Sequence, residues 1–232
     1  MAMKVIGLLG GMSWESSLHY YRLVNERVKA RRGGLHSARC IMYSLDFAEI
    51  EALQHEGRWD ETGVILADAG RRLEQAGAEV LVLCTNTMHK VAGAIEEAVE
   101  VPLLHIADAT AAAVRERGFE TVGLLGTRFT MEERFYAARL EERHGLRVLV
   151  PADEERALVH RVIYEELCLG QVSPQSRSAY ERIIAGLAQN GAQAVILGCT
   201  EIGLLVGDSR TPVPLFDTTK IHAEASADYA LE

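Results

Sequence analysis

The sequence predicts an α/β protein of two similar lobes, each a parallel sheet flanked by helices, and three observations carry that prediction. The first is an internal duplication, a self-match that outranks any single motif. Leu73 to His89 (LEQAGAEVLVLCTNTMH) aligns without gaps on Leu187 to Gly203 (LAQNGAQAVILGCTEIG) at an offset of 114 residues, so that Thr85 answers Cys199. Ile6 to Ser13 matches Val122 to Phe129 at an offset of 116, and Val101 to Asp108 matches Val213 to Lys220 at an offset of 112. The second observation is a repeated alternation of strand-length apolar runs with helical stretches, the pattern of βα units. The third is that runs such as Val80 to Leu83 are apolar at every position, as strands covered by helices on both faces must be.

Taken in order, Val5 to Leu9 reads as a strand ending at Gly10-Gly11, with Ser13 as N-cap of a helix running to about Arg31. Arg39 to Ser44 is the second strand, Phe47 to Glu56 and Thr62 to Ala76 are helices, and Val80 to Leu83 is a buried strand. Asn86 to Val99 reads as a helix, VPLLHI as a strand after Pro102, and Ala107 to Arg117 as a helix. The second copy opens with a strand over Thr121 to Leu125. Thr130 to Glu133 has the form of a capping box opening a helix that ends near His144-Gly145. Arg147 to Val150 is a strand, Ala152 to Leu167 and Pro174 to Gln189 are helices, and Ala194 to Leu197 is the strand matching Val80 to Leu83. The repeat places lobe 1 at residues 1–118, joined by the C-terminal segment 213–232, and lobe 2 at 119–212, with the last helix, from His222, returning to lobe 1 and the active site in the cleft between the lobes.

The bulk numbers narrow the function. A chain of 232 residues with 48% hydrophobic and 25% charged side chains has core material for two domains of about 115 residues. Its 33 acidic and 24 basic residues give a net charge of −9, which does not favour nucleic acid or an anionic membrane as partner. The longest apolar runs fall far below the roughly 20 residues of a membrane helix. The start, Met-Ala-Met-Lys, leads straight into a strand without the apolar segment of a secretory signal, so a cytoplasmic location is expected. Cys40, Cys84, Cys168 and Cys199 lack disulfide or CxxC spacing and are expected as free thiols.

Four strand ends are expected to converge on the cleft: Gly10 to Ser13, Thr85 to Thr87, Gly126-Thr127 and Gly198 to Thr200. Each leads into a helix whose first N–H groups favour an anion such as a carboxylate. The spacing Gly7 to Met12 is not GxGxxG and no GxxxxGK[ST] occurs, so nucleotide binding is poorly supported. The histidines and acidic residues show no HExxH-type spacing, and no metal is expected. Cys199 lies past a buried strand and ahead of a helix start, a setting that lowers a thiol pKa, with Thr200 and Glu201 as polar neighbours. The alternative for Cys199 is a small buried hydrophobe. His89 is read as structural, Trp14 and Trp59 as packing residues, and QHEGRWDE as surface from which Gln54, His55 or Arg58 could close over a ligand.

GLLGGMSWESS, the element at Thr85 to His89, and GCTEI at Gly198 to Ile202 together resemble the aspartate/glutamate racemase family of cofactor-independent enzymes, and more closely its bacterial L-aspartate/glutamate-specific branch. The similarity runs essentially from Lys4 to the C-terminus. It implies two lobes in pseudo-twofold symmetry, often assembled as dimers, and a small-molecule amino-acid dicarboxylate as substrate. It further implies one cysteine per lobe moving the α-proton on opposite faces. This chain departs from that pattern, because Thr85 stands where the family usually has the first cysteine, with Cys84 one residue early. Neighbours on a strand point to opposite faces, so Cys84 is expected to pack and Thr85 to face the site. A hydroxyl is a far weaker base than a thiolate, which implies an asymmetric pair. The expected catalytic residues are therefore Thr85 and Cys199, with Met12, Gln54, Asn86, Thr87, Thr127 and Thr200 contacting substrate and no cofactor. Racemisation of other amino acids, maleate isomerisation, decarboxylation of a malonate, and metabolite binding without turnover remain open.

Overall fold

The structure, a computed structural model, describes residues 2–232. In chain order its elements are β1 (Ile6–Gly10), α1 (Trp14–Arg32), β2 (Cys40–Ser44), α2 (Phe47–His55), α3 (Trp59–Gln75), β3 (Val80–Leu83), α4 (Ala92–Glu96), β4 (Leu103–Leu104) and α5 (Ile106–Glu116). The second half repeats the scheme with β5 (Thr121–Gly126), α6 (Arg128–Glu132), α7 (Arg134–Ala138), β6 (Arg147–Leu149), α8 (Asp153–Glu165), α9 (Pro174–Gln189), β7 (Ala194–Gly198), α10 (Ile202–Val206), β8 (Leu215–Asp217) and α11 (Thr218–Leu231). The strands form two parallel four-stranded sheets, ordered β2-β1-β3-β4 and β6-β5-β7-β8. The two orders correspond strand for strand, as a duplicated unit requires. In both sheets the chain crosses from one side of the first strand to the other, so the first and third strands flank a switch point, where ligands of open α/β sheets collect.

Strand alternation sorts the first core into two clusters. Ile6, Leu8, Val80, Val82 and Cys84 pack on one side of the sheet with Tyr20, Val24 and Val28 of α1 and Ala223, Ala227 and Ala230 of α11. Leu9, Leu81 and Leu83 pack on the other side with Ile50, Leu66 and Leu73 of α2 and α3. Burying each such side chain contributes about 1.5–3 kcal/mol, which is why strands this short hold their register. In the second sheet Leu125, Val195, Leu197 and Cys199 share a cluster with α8 and α9.

Packing divides the chain into one unit that runs to Ile106 and resumes at His222–Glu232, and another formed by Ala107–Ile221. The seams thus lie at 106/107 and 221/222, not at 118/119 and 212/213. Pairing explains the shift: β8 hydrogen-bonds to β7, with Val195 opposite Leu215. At the other seam, Asp108 of α5 is held by Arg139 at 2.6 Å and by His144 at 2.9 Å. Several helices also differ from the sequence reading, and α11 begins at Thr218 rather than His222. The stretch after β3 is a 3₁₀ turn (Thr87–Val91) followed by the short α4 rather than one helix to Val99. The segment after β5 is capped at Thr127, and Thr130 lies inside α6.

Candidate active site

In the first unit two strand ends build the site. At the end of β1, Gly11 has φ +92°, and a Cβ there would overlap the Leu45 backbone, so only glycine fits this turn. Gly11 N–H donates to Ser17 Oγ at 2.7 Å, and that hydroxyl donates to Ser13 O at 2.9 Å. Ser13 caps α1 by accepting from Ser16 N–H. Met12 is buried in the cluster of Leu9, Ile50 and Met88. Beside it, Cys84 N–H continues the ladder to Leu9 O at 2.9 Å, and Thr85 N–H closes back on Leu83 O.

The pair at residues 84 and 85 separates as strand alternation demands. Cys84 is fully buried among aliphatic side chains, and burial pushes its thiol far up. Thr85 keeps 8% exposure, and its hydroxyl makes no hydrogen bond to a described residue. Its carbonyl is held from below. His89 Nδ1 lies 2.7 Å from Thr85 O, and Ile106 N–H donates to His89 Nε2 at 3.2 Å. A carbonyl only accepts and a backbone N–H only donates, so Nδ1 carries the proton and Nε2 accepts. With both nitrogens so engaged, His89 is a brace for the strand end. Gln54, on α2, is buried and donates to Met88 Sδ at 2.8 Å, which places it under the 3₁₀ turn carrying Thr87.

In the second unit β5 and β7 approach closely at their ends, where a Cβ on Gly126 would meet Gly198 O at 2.8 Å. Thr127 Oγ1 accepts from Thr130 N–H at 3.3 Å, capping α6. Past Gly198, Cys199, Thr200 and Glu201 are 8%, 7% and 3% exposed. Two donors converge on one oxygen: Cys199 Sγ donates to Glu201 Oε2 at 3.0 Å and Thr200 Oγ1 donates to it at 2.6 Å. Burial pushes the Cys199 thiol well above its ordinary value, and the Glu201 charge and Cys168 push it further. This corrects the sequence reading of a setting that lowers the thiol pKa. The helix that follows, α10, has only five residues, and burial beside a carboxylate outweighs its end.

The eight sequence-predicted site residues therefore fall into two groups. Met12, Gln54, Thr85, Asn86 and Thr87 lie in the first unit, and Thr127, Cys199 and Thr200 in the second; all are buried or nearly so. Glu201 was named only as a neighbour, because no spacing rule says that its side chain turns back to the preceding two residues. Trp14 is 64% exposed rather than packed, while Trp59 lies under Lys90 Nζ at 3.7 Å. His55 and Arg58 are occupied by Glu51, Glu56 and Glu61 at the surface. Among the described residues no helix is long and apolar enough to cross a membrane, and no group of three or more His, Cys, Asp or Glu is placed to hold a metal ion.

Comparison with known proteins adds to this geometry. The Asp/Glu/Hydantoin racemase family model matches residues 9–226. A Yersinia pestis protein of known structure, provisionally named an Asp/Glu racemase, is 57% identical, covers 99% of this chain and 100% of its own, and superimposes with a TM-score of 0.92. An aspartate racemase homologue from Pyrococcus horikoshii OT3 is 37% identical over 99% of this chain and 100% of its own, with a TM-score of 0.84. A glutamate racemase from Pseudomonas aeruginosa is 33% identical over 133 residues, 56% of this chain. That match spans about half (48%) of the length of the curated relative.

Proposed function

The chain belongs to the Asp/Glu/Hydantoin racemase family, and from that premise we propose that it racemises L-aspartate or L-glutamate without a cofactor. The observation that carries the proposal is the pairing of Thr85 with Cys199 at equivalent strand ends, a hydroxyl on one and a thiol on the other. In this reading the substrate carboxylates are received by Met12, Asn86, Thr87, Thr127 and Thr200 at the strand ends, with Gln54 ordering the first-unit side. Cys199 removes or returns the α-proton on one face of the α-carbon. Thr85 serves the other face, directly or through water, and the planar carbanion between the two steps loses its handedness. The same reading extends to a homodimer in the cytoplasm, which size-exclusion chromatography and cell fractionation check.

The test is proton NMR of L-aspartate and L-glutamate in D₂O with chiral analysis of the same sample. Wild-type protein is expected to wash out the α-proton signal and produce both antipodes. Cys199→Ala should slow the washout by about 10²–10⁴-fold, the usual worth of a positioned acid–base group. Thr85→Ala should separate the two readouts: exchange of one antipode persists at Cys199 while inversion falls. Unchanged exchange in Cys199→Ala sinks the assignment. A second reading, metabolite binding without turnover, rests on Thr85 itself, and tight binding of either acid with no exchange would establish it.

A further inference from the structure

Cys199 presents a chemical difficulty that the racemase reading leaves unsolved. A thiol must lose its proton before sulfur can act as a base, yet this one is almost wholly buried and donates its hydrogen to a carboxylate. A carboxylate is the side chain least suited to stabilising a neighbouring thiolate. It is well suited to accepting the thiol's proton. The Oε2 atom of Glu201 lies 3.0 Å from Cys199 Sγ, within reach of that hydrogen, and 2.6 Å from Thr200 Oγ1, which donates to it as well. Glu201 is itself 3% exposed, so bulk water does not compete freely for the shared proton.

We infer that Glu201 is the proton acceptor behind Cys199, so that the base acting on this face of the substrate is a sulfur–carboxylate relay. The inference rests on the racemase reading above. As the Cα–H bond breaks, its electron pair stays on carbon and the proton moves to Sγ. The existing Sγ–H bond breaks in the same step, and that proton goes to Oε2, turning carboxylate into carboxylic acid. Sulfur begins and ends the step as a thiol, so no buried thiolate stands beside a charged carboxylate. Running backwards, Oε2 returns its proton to sulfur as sulfur protonates the carbanion. After inversion, when Thr85 has supplied its hydroxyl proton on the other face, its oxygen takes a proton from water and Glu201 releases one to water, which restores both groups before the next cycle. The other titratable groups around the sulfur are Cys168, on the 3₁₀ turn after α8, and Tyr180 of α9, which also faces Glu166. Neither has the oxygen geometry of Glu201.

The test compares full-length wild type, Glu201→Gln and Glu201→Asp in two assays, with matched circular dichroism and thermal melts showing that the variants fold. In the first, α-proton exchange of L-aspartate and L-glutamate in D₂O should fall by about 100-fold or more in Glu201→Gln and recover in part in Glu201→Asp. In the second, which needs no substrate, Cys199 is alkylated with iodoacetamide across pH and its peptide quantified by mass spectrometry. Removing the carboxylate should make Cys199 more reactive, by about tenfold for each pH unit its titration moves down. A more reactive sulfur in a less active enzyme is the signature of a lost proton acceptor, and a merely structural role would not produce it. Exchange in Glu201→Gln at the wild-type rate or faster overturns the inference, as does an alkylation profile indifferent to residue 201. If wild type exchanges neither acid, the racemase reading falls. The alkylation arm alone then decides whether Glu201 holds the Cys199 proton.

Discussion

The two halves of this chain share a backbone plan and differ in what they do with its most informative position, the end of the third strand. At the offset of 114 residues, Thr85 answers Cys199, Thr87 answers Glu201, and His89 answers Gly203. At the offset of 112 at the neighbouring strand, His105 answers Asp217. In the first unit the His89 and His105 rings lie 4.3 Å apart, and His89 braces the Thr85 carbonyl. In the second unit the brace is gone: a glycine stands there, and the Asp217 carboxylate occupies the space near its Cα. The polar side chain has moved two residues earlier, to Glu201, where it meets sulfur directly. One strand end holds its backbone with a ring, and the other puts a carboxylate on a thiol. The strand order is shared by the two halves, and the side chains at this strand end differ.

The sharpest way to break this comparison is to remove the brace. His89→Ala removes the imidazole's hydrogen bonds to the Thr85 carbonyl and the Ile106 N–H and opens a cavity the size of a ring. The two lost hydrogen bonds and the cavity together are expected to cost about 4 kcal/mol in urea unfolding. The first-unit strand end should loosen, seen as lost amide protection at residues 83–89. Protection at 197–203, which has no such ring, should stay as it is. Equal loss at both ends would show that the brace serves the whole chain rather than its own unit.

Acid distinguishes the units by a different route. His222 Nε2 donates to Leu104 O at 2.8 Å, so its Nδ1, 2.9 Å from Tyr20 Oη, accepts the phenol hydrogen. Burial holds its pKa down to about 4, although the Leu104 bond pulls upward. Tyr20 and His89 are the titratable groups whose rings face it. The unfolded chain binds this proton below about pH 6.5 and the folded chain does not. The stabilisation is therefore complete above pH 6.5 and drains away between 6.5 and 4, by about 3 kcal/mol in all. The second unit has a depressed carboxyl instead. Burial opposes ionisation of Asp108, but hydrogen bonds from Arg139 and His144 outweigh it and hold the group below its ordinary value. Its contribution survives until pH falls below the usual carboxylate range. Hydrogen exchange, corrected for intrinsic rates, should show residues 20–28 and 222–231 losing protection before 107–116 and 134–144. Simultaneous loss near pH 5 would contradict this ordering.

What the sequence made legible follows from where each signal lives. Strands such as Val80–Leu83 and the helix Pro174–Gln189 match the reading residue for residue, because apolar runs and a proline in the first helical turn are local signals. The Cys84/Thr85 separation was legible for the same reason, since strand alternation needs only the strand. The seams were not, because the partnership of β8 with β7 and of Asp108 with Arg139 is tertiary. Nor was the break after β3: Thr87 to Glu96 carries no proline, and the Val91 backbone at φ −110° marks where the 3₁₀ turn gives way to α4. Around the candidate site, the strand ends were readable. The sense of the Cys199 shift was not, because it depends on burial and on the turn that brings Glu201 Oε2 back to sulfur.

The smallest effect tests the brace from the other side. Gly203 is the second-unit counterpart of His89, and a Cβ there would stand 2.7 Å from Asp217 Oδ2. That carboxylate caps the start of α11 through its Oδ1, which accepts from Thr219 N–H at 2.9 Å and Lys220 N–H at 3.1 Å. Gly203→Ala should therefore displace Asp217 and weaken this cap, at a cost of about 1 kcal/mol, the usual worth of an N-cap. The methyl group touches neither Cys199 nor Glu201, so α-proton exchange should persist while the melting temperature falls by a few degrees. Restoring stability in the double variant Gly203→Ala, Asp217→Asn, whose amide keeps an acceptor oxygen without the second negative one, would show that carboxylate crowding is the cause. If Gly203→Ala instead abolished exchange at full stability, the two strand ends would be more alike than they look. The position four residues after the reactive one would then govern chemistry in both units, by a ring in one and by the lack of a side chain in the other.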